Sequence, residues 1–345
     1  TAGGATADAG VALLMVLGYA AGLGLLILAA TGVRRRTADW SIAAGLGFVC
    51  VSYAIAQGVV ETEAGSQLTT DAYMYTDYAA RLLRTGENPY SHEMAEAFRV
   101  HRAPLNYMTP LIDGNLSSRV AYPALHLLLF VPVQMAGLDT AMIYPDVGLA
   151  TLAMLYLGVR ADLRPVILLP FFADQTYLHY VLGGVTDITW ALLLLAMLRS
   201  WHKPQQRGLW FGLACAYKHQ PWALAPFLLI RIWHESSAER PARIRELLRF
   251  TGWSVAAFAA VNLPFFVWSP GAWFAGVTEP LVTPMITLGQ GLSSLSMLGL
   301  AVMPKYVYSL FMIAVLGVCL AVYWLHFHRM RALLWLAPPL VLFFS

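Results

Sequence analysis

The chain alternates between long apolar runs and short polar or basic interruptions. A helix that spans a bilayer needs about 20 apolar residues. Residues 10–33 and 40–60 each supply one such run, divided by Arg34-Arg35-Arg36. A polar segment follows at 61–118. Residues 120–137 and 140–159 read as a third and fourth span, joined by a turn near Gly137-Leu138-Asp139. Residues 163–185 are apolar but interrupted by Pro165, Pro170, Asp174 and Gly183-Gly184, and 187–201 make a short helix. The run 208–233 carries Lys218-His219-Gln220-Pro221 in its middle. Residues 250–268 span again, 269–291 form a second polar and aromatic loop, and 292–303 are a short apolar piece. Residues 305–327 are a full span, and another run starts at 332.

The pattern predicts an all-α, polytopic transmembrane bundle. Its long first loop bears short amphipathic helices, and several membrane helices are broken or half-length. The 345 residues would form one integral membrane domain: an N-terminal span at 10–39, a module at 40–233, and C-terminal spans at 250–345. Composition agrees. Hydrophobic residues make up 59% and charged residues 12%, about half the charge of a soluble domain. Mean hydropathy is +0.61. Net charge of +3 is too small to argue for nucleic acid. Cys50, Cys215 and Cys319 all lie in apolar runs, as core hydrophobes do, and no Cys/His spacing suits zinc. Nothing in the sequence requires a divalent metal or other cofactor.

Lys and Arg remain on the cytoplasmic side. The basic segments are Arg34–Arg36, Arg199–Arg207, Arg231–Arg249 and Arg329–Arg331, whereas 61–118 holds four Arg, no Lys and eight Asp or Glu. The basic segments are therefore expected inside, and 61–118 and 269–291 outside. Full spans at 163–185 and 208–233 would contradict this, because 208–233 has basic segments on both sides. The conflict vanishes if each is a pair of half-helices that turns back in the membrane. Irregular backbone at that depth survives only against protein or a water-filled cavity, so an outward polar cavity is expected.

Ionisable residues within apolar runs mark candidate sites. Asp71 and Asp77 lie close together among Tyr73, Tyr75, Tyr78 and Tyr90. An outward carboxylate there suits a general base acting on a hydroxyl; a solvated loop acid is the alternative. On a helix six residues turn through about 600°, so the two acids do not share a face. Lys218 and His219, with Arg119, suit a phosphate; an ion pair of Lys218 with Asp174 or Asp187, and snorkelling of Arg119, are the alternatives. His126, Asp174, His179, Asp187 and Gln290 are candidate cavity residues beside the tyrosines. No phosphate-binding glycine loop occurs, which argues against an ATP-driven pump.

Read in order, these residues resemble the C-type glycosyltransferases, and among them the polyprenyl-phosphate-mannose-dependent mannosyltransferases. The first loop carries Asp71, Tyr73, Tyr75, Ala79-Ala80, Leu82-Leu83 and Gly86-Glu87-Asn88-Pro89-Tyr90. Tyr122-Pro123-Ala124 opens the next span, with Pro132 later; Lys218-His219-Gln220-Pro221 and Gln290-Gly291-Leu292-Ser293 follow. The chain departs in having two spans before the loop, in the tyrosine spacing, and in Gly184-Val185-Thr186-Asp187. The resemblance implies sugar transfer, mannose in the first instance, from a polyprenyl-phosphate donor. The acceptor would be a lipid, glycan or protein on the outer face of the plasma membrane. It makes Asp71 the base and sets Arg119, Lys218 and His219 against the leaving phosphate. The rival readings are a transporter or flippase for a lipid-linked or polar solute, and a non-catalytic membrane subunit.

Overall fold

The computed structural model describes residues 70–105, 108–111, 115–160, 187–236, 239–282, 305–331 and 333–336, with Ala20, Arg164, Gly184 and Leu300. The expected spans at 10–33, 40–60, 163–185 and 292–303 lie outside or almost wholly outside these residues. The described chain is all-α. Its helices are α1 (Asp71–Arg84), α2 (Ala95–Val100), α3 (Ala124–Leu128), α4 (Phe130–Met135), α5 (Ile143–Gly158), α6 (Asp187–Arg199), α7 (Pro204–Tyr217), α8 (Ala225–Glu235), α9 (Arg240–Trp268), α10 (Pro270–Val282) and α11 (Lys305–Leu325). No sheet forms among the described residues; one isolated bridge pairs Pro110 with Leu116.

Among the described residues three helices are long and apolar enough to cross a membrane: Thr140–Gly158, Arg240–Trp268 and Tyr306–Leu325. They place the chain among integral membrane proteins. The expected span at 120–137 is shorter than expected. Ala124–Met135 is an apolar stretch of 12 residues, divided at Leu129 into α3 and α4. Pro132 explains the division, since it has no N–H to give to the turn before it. The chain splits into two compact units. One comprises the residues up to Tyr73 and Asp139–Leu195; the other comprises Met74–Leu138 and Ala196 onward.

In the second unit the run 208–233 is a broken helix, as the charge pattern required. α7 ends at Lys218, a 3-10 turn covers Gln220–Leu224, and α8 follows. Pro221 and Pro226 sit where a missing N–H does no harm, in the first positions of their helices. α8 runs back beside α7, because the far ends of both meet the same residues. Arg207 near the start of α7 donates to Glu246 at 2.9 Å, and Ser236 just past α8 donates to the other oxygen of Glu246 at 2.6 Å. Trp201 donates to Glu235 at 2.9 Å across the same end.

α9 is the pillar of this unit. It runs alongside α7 in the same direction, since Arg207 meets Glu246 while Gly212 meets Ser254. Gly208 and Gly212 make the contact possible. A Cβ built on Gly208 would lie 2.5 Å from the Phe250 carbonyl oxygen, and one on Gly212 would run into that of Ser254. Small residues four apart allow helix backbones to approach this closely. The 29 residues of α9 extend for about 43 Å, longer than the roughly 30 Å of hydrocarbon. The charged turns Arg240–Arg249, expected as a basic segment ahead of a span at 250–268, are the start of this helix. They meet the ends of α8 and α11: His234 lies within electrostatic range of Arg243 and His328. Segments 199–207, 231–236, 239–249 and 326–331 therefore gather at one end of the unit.

The second structural difference is α10. Residues 270–282, expected within a loop, are helical. Pro270 pre-sets the first turn, and only Ser269, in a non-helical conformation, separates α10 from α9.

Candidate functional site

Asp71 opens α1. Its Oδ1 accepts from the Ala72 N–H at 2.7 Å, and it is half-buried. An acid at a helix N-terminus meets backbone N–H groups that have no partner within the helix. Thr70 completes the start: its Oγ1 accepts from the Tyr73 N–H at 3.2 Å and donates to the Gly184 carbonyl at 3.1 Å. Tyr73 is buried, with its hydroxyl 3.0 Å from Thr140 Oγ1. Gly184 has φ +80, and a Cβ there would lie 2.9 Å from that of Tyr73, so glycine is required twice over. Asp187 opens α6 and accepts from Trp190 Nε1 at 3.1 Å. Asp71, Tyr73 and Asp187 thus belong to the first unit.

Asp77 belongs to the second unit, and its surroundings differ from those of Asp71. It is 2% exposed. Arg81 Nε donates to it at 2.9 Å, Gln134 Nε2 at 2.8 Å, and His101 Nε2 stands 3.2 Å away. Gln134 also donates to the Asp77 carbonyl at 2.8 Å. This carboxylate ties α1 to α4 and to the turn after α2. Six residues along one helix therefore separate an end-of-helix acid from a buried one.

Gly86-Glu87-Asn88-Pro89-Tyr90 forms a docking turn. Gly86 has φ +81, Asn88 Oδ1 accepts from the Tyr90 N–H at 3.1 Å, and Pro89 opens a 3-10 turn. Tyr90 is then buried. Its hydroxyl donates to the Tyr122 carbonyl at 2.7 Å and its ring meets Phe265 edge-on; burial keeps the phenol protonated by pushing its pKa up. Tyr75 is likewise buried and donates to the Ser117 carbonyl at 2.6 Å. The hydroxyls of all three candidate tyrosines thus take part in hydrogen bonds within the protein.

The break between α7 and α8 gathers the polar groups of the membrane run. His126 is fully buried between two phenol rings. Tyr122 stacks on it at 4.2 Å and Tyr217 at 4.5 Å, with interplanar angles of 9° and 17°. Lys218 Nζ stands 5.5 Å from the centroid of the Tyr122 ring, a cation against a π face. His219 Nε2 is 2.6 Å from the Val277 carbonyl on α10. A carbonyl only accepts, so Nε2 carries the proton and Nδ1 is left for another partner. Lys218, His219 and His126 lie within electrostatic range of one another. Asn262 on α9 fixes the adjoining chain by accepting from the Ala124 N–H at 2.9 Å.

α10 brings in a residue the sequence reading did not select. Glu279 is 5% exposed. Its Oε1 accepts from Ser117 Oγ at 2.8 Å, and its Oε2 has no hydrogen-bond partner among the described residues. Burial pushes its carboxyl pKa up, with the Ser117 bond and the Arg119 charge opposing. Arg119 itself is exposed. Glu279 was hidden by the reading of 269–291 as loop. A carboxylate two residues from the Val277 contact is visible only once α10 is seen as a helix. Tyr122 and Tyr217 were missed because a tyrosine in an apolar run looks like core. The signal was their common nearness to His126 and Lys218, which sequence spacing does not show. Asp174, His179 and Gln290 lie outside the described residues.

The second unit therefore brings together His126, Lys218 and His219 with Tyr90. Comparison with protein-family models, with curated proteins and with solved structures finds no match. Among the described residues no group of three or more His, Cys, Asp or Glu is arranged to hold a metal ion.

Proposed function

We propose that this protein is a membrane glycosyltransferase. It moves a sugar, mannose in the first instance, from a polyprenyl-phosphate donor to a lipid, glycan or protein acceptor on the outer face of the plasma membrane. The observation that carries the reading is the break at Lys218-His219. There Lys218 and His219, at the turn of a folded-back pair of apolar helices, lie near His126 of α3. Fixed positive groups in a membrane suit the phosphate of a lipid-linked donor, whose charge grows as the glycosidic bond breaks. Lys218 and His219 would face that phosphate, with Arg119 as a further cation of the same unit.

Asp71 would remove the proton of the acceptor hydroxyl. It is half-exposed and opens its helix, whereas the buried Asp77 holds three side chains. The ordered motifs of the first polar segment, of Tyr122-Pro123-Ala124 and of Lys218-His219-Gln220-Pro221 support the same class. Their geometry also gives the Gly-x-Asn-Pro-Tyr residues a structural reason, as a turn that docks on Tyr122.

The test is direct. The purified chain in lipid nanodiscs is given radiolabelled polyprenyl-phosphate mannose and a mixture of membrane glycolipids. The reading expects label in the acceptor fraction, reduced by about a hundredfold or more in Asp71→Asn. A wild-type protein that moves no sugar from any polyprenyl-phosphate donor overturns it.

A further inference from the structure

The apolar pattern sends the chain across the membrane at 120–137 and back at 140–159. The hydrogen bonds at both ends of the first stretch disagree with that course. At its start the Tyr90 hydroxyl donates to the Tyr122 carbonyl at 2.7 Å. At its end Gln134 Nε2 donates to the carboxylate and to the backbone carbonyl of Asp77, each at 2.8 Å. Tyr90 and Asp77 both belong to the first polar segment, and both are buried, so these are packed contacts and not surface ones. The helices between are also too short. The 12 residues Ala124–Met135 reach about 18 Å, against roughly 30 Å of hydrocarbon. A stretch that is fastened at both ends to one polar segment, and is shorter than the bilayer, does not carry the chain through it.

The first unit supplies a separate observation. The Tyr73 hydroxyl stands 3.0 Å from Thr140 Oγ1, in a buried contact. Thr70 donates to the Gly184 carbonyl at 3.1 Å, and a Cβ on Gly184 would lie 2.9 Å from that of Tyr73. The start of the Thr140–Gly158 span and the approach to α6 therefore both lie beside Thr70 and Tyr73. The span has 19 residues and reaches about 28 Å, close to the thickness of the hydrocarbon. Its far end carries Arg160, which is exposed, and Arg164, whose guanidinium lies 5.0 Å from the Tyr156 ring centroid. Arginines and a tyrosine at the end of an apolar helix are what a membrane boundary selects.

We infer that residues 120–138 stay on the side of the membrane that bears the first polar segment, and that α5 is the first crossing after it. Arg160 and Arg164 then face the side of the other basic segments. The sorting of charge supports this course. A crossing at 120–137 followed by a return at 140–159 would leave both arginines beside the acid-rich segment, against the rule that places Lys and Arg together on the cytoplasmic side. With α5 as the first crossing they join Arg199–Arg207 and Arg329–Arg331. The charge pattern then no longer calls for a fold-back at 163–185. The course also gives the Lys218 group a side. His126 of α3 stacks on Tyr217 at 4.5 Å, next to Lys218, so that end of the α7–α8 hairpin belongs with the polar segment, and the Arg207–Glu246 end belongs with the basic one. The inference is independent of the sugar-transfer reading.

Thiol labelling of the full chain tests it. Leu138→Cys and Arg160→Cys report on the two positions, Arg84→Cys marks the polar segment, and Arg329→Cys marks the basic side; all four positions are exposed. Intact cells are treated with a membrane-impermeant maleimide and then lysed, and the remaining thiols are labelled with a biotin maleimide. The unsubstituted chain, with its own three cysteines, sets the background. The impermeant reagent should abolish the biotin label at one reference position and spare the other. Leu138→Cys should behave as Arg84→Cys does, and Arg160→Cys as Arg329→Cys does. A Leu138→Cys that follows Arg329→Cys shows that 120–138 crosses and overturns the inference. An Arg160→Cys that follows Arg84→Cys overturns the placement of α5. Should either variant fail to accumulate, Ala136→Cys and Gly158→Cys, also at exposed positions, give the same two readings.

Discussion

The two ends of the folded-back pair α7 and α8 both hold a buried cation, and they use it differently. At one end Arg207, 2% exposed, donates to Glu246 and to the Trp201 carbonyl, and lies over the Trp201 ring at 4.6 Å. The Glu246 carboxylate also accepts from Ser236, so the pair closes the hairpin. At the other end Lys218, 8% exposed, lies by the Tyr122 face, next to two histidines, in backbone that has left the helix. Arginine's fork is a fastener, and lysine's single ammonium group on a flexible stem suits a ligand that comes and goes. A cation within an apolar run is therefore not by itself evidence of a site. The partners decide.

That contrast can be broken in graded ways. The largest effect should come from the contact both ends depend on. Gly212→Val places atoms against the Ser254 carbonyl and should cost about 3 kcal/mol or more, read as a fall in the thermal unfolding midpoint in detergent. Arg207→Met removes one partner of a buried pair and leaves Glu246 behind, for a loss of about 3 kcal/mol. It should hit stability far more than donor binding. Lys218→Met should do the reverse. Label transfer from polyprenyl-phosphate mannose should fall about a hundredfold, with the unfolding midpoint close to wild type. If Lys218→Met destabilises as much as Arg207→Met, the two ends are alike and the contrast fails.

The smallest expected effect concerns pH. The carboxyl pKa of Glu279 is raised in the folded protein above its ordinary 4.5. The folded state then holds the proton more tightly than the unfolded chain, so stability falls as pH rises from about 4.5 through the raised value. Glu279→Gln should flatten that part of the midpoint-versus-pH curve. An unchanged curve would show that Glu279 keeps an ordinary carboxyl.

The sequence foretold the break at Lys218-His219 because charge on both sides of one apolar run admits no other topology. α9 starts earlier than the expected span at 250–268. Arg240, Arg243, Arg245 and Arg249 are too polar for a span, yet arginine is a good helix former, and a helix longer than the bilayer carries its charges outside. α10 was missed because Pro270 and Gly271 look like loop residues, although proline is well placed in a first turn. In the candidate site, the ionisable members of the Lys218 group were legible as polar residues in apolar runs. The tyrosine stack around His126 was not, because its three rings come from α7 and from the start of α3, and no local spacing records that meeting.

The glycine contact between α7 and α9 also decides how firmly the Lys218 group is held. With backbones touching at Gly208 and Gly212, the two helices behave as one rail, and sliding one along the other would require repacking main chain against main chain. α10 leaves that rail at Ser269 and is held in its turn at Gly276, where a Cβ would lie 2.5 Å from the Val120 carbonyl oxygen and 2.9 Å from the Tyr90 ring. Its Val277 carbonyl meets His219, and its Glu279 holds Ser117. The Lys218 group is thus bounded on two sides by main chain packed closely on its neighbours, and a ligand there would meet walls already in place.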